Sequence, residues 1–134
     1  MALPRKILEL EFTVLEFHRD FVLSKPREGQ ILEAKEVAKL IEVCSDFFGR
    51  ESFVYLSYRV NDYNVNPTVY MNLDEVKNLA GIGVVSKKTS SLKMASFEKN
   101  FCKLPFEIFT DLDDALDWTG KVLEEKLKKE KNRN

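Results

Sequence analysis

A chain of 134 residues with 44% apolar and 32% charged side chains holds enough apolar material for one buried core without disulfide or metal staples. Its formal net charge of -1 excludes the strong positive field by which proteins bind nucleic acid or anionic membranes. Two cysteines are too few for a disulfide framework, and no apolar run reaches the length of a membrane span.

The first residues mix Arg5, Lys6, Glu9 and Glu11 into their apolar positions, unlike a signal peptide, so a cytoplasmic setting of bacterial type is expected. Imperfect apolar–charged alternation predicts a strand over 7–17 and an antiparallel partner over 20–25, with His18, Arg19 and Asp20 in the turn. Pro26 and Gly29 mark the next loop. From Leu32 to Phe48, Val37, Leu40, Ile41, Cys44, Phe47 and Phe48 recur at helical spacing, and Gly49 is suited to the left-handed cap. The apolar run 52–58 reads as a strand buried on both faces. After a polar loop, Arg59 to Asn66, a second helix is predicted: Asn66 caps it, Pro67 opens it, Val69, Leu73, Val76 and Ala80 form its inward stripe, and Gly81 ends it. Residues 82–86 form another buried strand. A third helix opens at Lys87–Ser91 and runs to about Cys102, a strand covers 106–110, and a last helix starts at Asp111.

Strands alternating with helices give the α/β class: a single mixed, mainly parallel five-stranded sheet, with an N-terminal antiparallel hairpin, covered by four helices. One domain over 1–134 is expected, with residues 128–134 as a frayed basic tail.

The element order, the stretch from Phe53 to Pro67 with its spacing Arg59, Asn61, Tyr63, Val65, Pro67, and the strand-to-helix segment from Phe106 to Trp118 together resemble small bacterial STAS-like proteins. These share the fold of the sporulation anti-sigma-factor antagonist and are distantly comparable with lipid-carrying CRAL-TRIO domains. The resemblance implies this fold and a non-enzymatic role. Phospho-switch antagonists carry a serine in an Asp-Ser-Gly-type turn. The corresponding segment here, Ser57 to Thr68, has no such element, so no kinase-controlled serine is transferred.

In open α/β sheets ligands bind beyond the carboxyl ends of parallel strands. That rule gathers Arg59, Asn61, Asp62, Tyr63, Lys87, Lys88, Thr89 and Ser90 into a candidate ligand or partner rim. The start of the third helix favours an anion there, although Thr89 or Ser90 as a simple helix cap explains the same residues. Met94, Phe97 and Phe101 form a stripe nearly opposite Leu92, Ala95 and Cys102, and mark a candidate association surface. His18 is read as a surface turn residue, Cys44 as inert core and Cys102 as an exposed helix-end thiol. Asp111, Asp113, Asp114 and Asp117 are read as helix-start charges rather than a metal site. No nucleophile–base pair, metal cluster or cofactor loop is visible, so no catalytic residue, no metal and no cofactor are expected.

Two functions follow. The first is a non-catalytic regulatory domain acting through protein contacts or self-association as a homodimer. The alternative is a carrier for a small apolar or lipid-like ligand, with Arg59 or Lys87 holding a polar head. Neither nucleic acid nor membrane insertion is expected.

Overall fold

A computed structural model describes residues 2–132. Three N-terminal strands, β1 (Lys6–Glu9), β2 (Thr13–Phe17) and β3 (Phe21–Pro26), form an antiparallel meander. Beside β3, strands β5 (Phe53–Tyr58), β7 (Leu79–Val85) and β8 (Phe106–Phe109) continue the sheet in parallel, giving the order β1-β2-β3-β5-β7-β8. A separate two-stranded ribbon joins β4 (Ile31–Leu32) to β6 (Asn64–Val65). The expected hairpin followed by parallel strands is present, but the sheet has six strands rather than five. The segment 7–17 is itself a hairpin: the chain reverses at Leu10, whose N–H donates to the Thr13 carbonyl at 2.8 Å.

Helix α1 (Ala34–Phe48) buries Leu40, Cys44 and Phe48, as its period requires. Its first turn is closed by a capping box in which the Glu33 N–H donates to Glu36 Oε1 at 2.9 Å, and Gly49 ends it at φ 60°. The second helix takes another form. Residues Pro67–Tyr70 and Leu73–Glu75 make two short 3-10 turns, and the chain is already in β7 at Leu79. Pairing of Phe53 with Leu79, and the Phe53 N–H bonded to the Asn78 carbonyl at 2.9 Å, claim the residues that the helix would have used. Helix α2 (Thr89–Glu98) and a 3-10 turn over Lys99–Phe101 precede β8, and α3 (Leu112–Lys131) follows it. Because α3 runs through Lys131, the expected frayed tail is helical that far; residues 133 and 134 lie outside the described residues.

Alternation along β5 sends Phe53 and Tyr55 to one face and Val54, Leu56 and Tyr58 to the other. The first face is covered by α1, the 3-10 segment and α2, the second by α3. Glycine brings α3 close: a Cβ on Gly83 would meet Leu56 Cδ2 at 2.7 Å and the Trp118 ring at 3.3 Å. Under the C-terminal half of α1 the core is a stack of rings, with Phe48 on Phe53 at 4.3 Å and Phe17 on Phe47 at 4.6 Å.

Candidate functional site

The face of β5 that carries Phe53 and Tyr55 continues through Ser57 to Arg59, which directly follows the strand and is only 2% exposed. A buried guanidinium needs an opposite charge and filled hydrogen bonds. Glu98, 1% exposed on the inner side of α2, supplies both: Arg59 Nη1 and Nη2 donate to its two carboxylate oxygens at 2.7 Å each. Arg59 Nε donates to Ser57 Oγ at 3.1 Å, the Tyr70 hydroxyl donates to Glu98 Oε1 at 2.5 Å, and the Tyr63 ring lies 5.0 Å from the guanidinium carbon. Ser57 and Tyr63 also share a hydrogen bond at 3.3 Å. Burial, reinforced at Tyr70 by the Glu98 carboxylate, pushes the phenols of Tyr63 and Tyr70 upward, so both stay neutral.

Tyr63 and Tyr70 have a second role. They help to line a cavity of about 280 Å³, open to solvent on one side, between the middle of α1 and the 3-10 segment. Most of its other walls are apolar, among them Val37, Leu40, Val69, Leu73 and Ile82. Cys44 is also in the wall, and burial pushes its thiol up to about 12, so it is a neutral wall atom and not a nucleophile. The cavity lies where the segment between β6 and β7 forms short turns opposite α1.

The residues expected at one rim are divided between two places. Lys87, Lys88 and Arg59 line a cleft of about 410 Å³ at the carboxyl ends of β5, β7 and β8, together with Thr110 and Asp111. Arg59 contributes to it with its charge already taken by Glu98. Thr89 and Ser90 are exposed in the first turn of α2, whose cap position is Lys88 without a side-chain cap bond; the expected hydroxyl cap is not formed. Asp62 is exposed and pairs with Lys88 at 3.1 Å, and the Asn61 amide donates to the Pro26 carbonyl at 3.3 Å, so both pin the loop. Tyr63 belongs to the buried cluster. On α2 the inward residues are Ser91, Ala95 and Glu98, which is neither of the two expected stripes. Phe97 is 56% exposed with its ring 5.3 Å from Phe101, and Met94 and Phe101 are half-buried.

Other expectations resolve individually. Cys44 is buried as expected, whereas Cys102 is half-covered and burial raises its thiol. His18 is a correction: it is 6% exposed, stacks on Phe21 at 4.4 Å, and burial lowers its pKa against the opposing pull of Glu16 and Asp20. The ring folds back from the turn onto Phe21 at the start of β3.

Among solved structures, the chain is similar to an uncharacterized protein of the DUF3478 family with a SpoIIAA-like fold from Shewanella loihica. The two superpose with a TM-score of 0.52 over 80% of this chain and 91% of that one, at 16% identity. The fold is SpoIIAA-like. No protein-family model and no curated protein matches the chain. The STAS-like resemblance carried by residues 53–67 and 106–118 is thus met at the level of fold. Within this SpoIIAA-like fold, Ser57, Tyr70 and Glu98 are residues of the candidate site that the sequence did not single out. A signal existed for Glu98. Alternation along β5 buries Arg59, and Ser91, Ala95 and Glu98 at i, i+4 and i+7 make a narrow face of small residues ending in a carboxylate.

Proposed function

We propose that this chain is a non-catalytic, STAS-like binding domain that takes a small apolar molecule into the cavity between α1 and the 3-10 segment. The observation that carries this reading is the cavity itself. Small-molecule sites are concave, mostly apolar clefts, and an apolar space of ~150 Å³ already suffices to bind benzene. A space of about 280 Å³ with apolar walls lies close to the ordinary range of ligand pockets. A binding rather than catalytic role is supported by the polar groups next to it. Arg59, Glu98, Tyr70 and Ser57 are engaged with one another, and the carboxylate in the wall, Glu75, is solvent-exposed and stands without a histidine, lysine or arginine among the lining residues. A regulatory role through protein contacts is the second reading, and the exposed Phe97 packed on Phe101 is the feature that favours it.

Native mass spectrometry of freshly purified protein tests the first reading. The expected spectrum contains the chain carrying the added mass of one small organic molecule. A spectrum of the bare chain mass alone contradicts it.

A further inference from the structure

We propose that the ligand of this cavity is an electrically neutral molecule of roughly ten to a dozen non-hydrogen atoms, carrying at most a hydroxyl or carbonyl as its polar group. This rests on the cavity being the binding site and adds the chemical class of what enters it. The size is that of a molecule filling the pocket to its mouth: about 280 Å³ is a little under twice the ~150 Å³ that accommodates benzene.

The charge follows from the walls. Among the lining residues there is no lysine, arginine or histidine, and the single ionisable carboxylate, Glu75, is solvent-exposed. Among the described residues a buried cation, Arg59, stands against Tyr63 and Tyr70, and both ends of its fork are bound to Glu98 at 2.7 Å. An anionic headgroup reaching for Arg59 would have to displace Glu98 and leave that carboxylate buried and unpaired, which is the costly outcome for a buried ion pair. A cationic headgroup would give up its hydration for walls that offer no buried, uncompensated carboxylate. The Asn78 amide is already committed to the carbonyls of Gly49 and Glu51, at 3.1 and 2.9 Å. What remains is the edge of the tyrosine hydroxyls, suited to one neutral hydrogen-bonding group. The expectation that Arg59 or Lys87 holds a charged head is therefore replaced: Arg59 is neutralised, and Lys87 lines the other cleft.

The test is a calorimetric titration of the full chain with 2-naphthol, 2-naphthoate and 2-naphthylmethylammonium at neutral pH. These three probes share one ring system and differ in charge. The same titrations are repeated on Ile41→Trp, which plugs the cavity from its half-exposed wall. The expected result is 2-naphthol binding at least tenfold tighter than either ion, with that binding lost in Ile41→Trp. Naphthoate or the ammonium binding as tightly as 2-naphthol, and lost in Ile41→Trp, overturns the neutral class and leaves the cavity as the site. No binding by any probe, or binding that Ile41→Trp leaves unchanged, overturns the cavity reading and this inference with it.

Discussion

At the scale of single residues, one ion pair is fully buried among the described residues. Arg59 and Glu98 come from segments 39 positions apart, and their side chains are each only 1% exposed. Such a pair says more about specificity than about net stability, because desolvation offsets much of the attraction. Breaking it is a different matter. Glu98→Leu leaves the guanidinium buried with only Ser57 and Tyr70 as partners, and a loss of roughly 3–5 kcal/mol is expected in urea unfolding. Adding Arg59→Met to that variant removes the orphaned charge and should restore most of the loss. A Glu98→Leu protein within about 1 kcal/mol of wild type would show that the pair is not the buried contact described. In the sequence Arg59 was visible as a candidate, but as an exposed rim residue. Its burial depends on the strand parity of β5, and its partner is fixed only when α2 crosses that face. No local pattern records that crossing.

At the scale of elements, α1 and β5 were legible because their apolar periods agree with their surroundings. The stripe Leu40, Cys44, Phe48 faces the core, and both parities of β5 are covered. The segment after β6 was not legible. Val69, Leu73 and Val76 have helical spacing, and Asn66 does cap, accepting from the Thr68 N–H at 3.2 Å. What decides the outcome is the parallel pairing of Leu79 with Phe53, a contact between positions far apart in the chain. The turn at Leu10–Phe12 escaped for another reason: it contains no glycine, proline or asparagine. The docking of α3 on β7 gives an element-scale prediction. Leu56 is fully buried, so its methyl has little room to move away from a new Cβ at position 83. Gly83→Ala is expected to destabilise by about 1–3 kcal/mol in urea unfolding and to alter the emission of Trp118, the sole tryptophan. Unchanged stability together with unchanged emission would mean that α3 does not sit this close to the sheet.

At the scale of the whole molecule, the alternation of strands and helices was enough to predict a mixed sheet with an antiparallel start, and the SpoIIAA-like fold is its realisation. The position of the cavity was not predictable, because a cavity is a property of two elements that fail to meet. On one face, α1 and the short turns leave an apolar space beside a neutralised ion pair. At the carboxyl edge, a separate polar cleft carries Lys87 and Lys88. The general rule for open α/β sheets favours the second place, and the chemistry of the walls favours the first. Amide chemical shifts of the isotope-labelled full chain, recorded during titration with 2-naphthol, separate the two directly. The expected result is a saturable set of shifts centred on Ile41, Leu73 and Ile82, with Lys87, Lys88 and Asp111 unmoved; shifts centred on the Lys87–Asp111 cleft, or none at saturating probe, would contradict the cavity as the binding site.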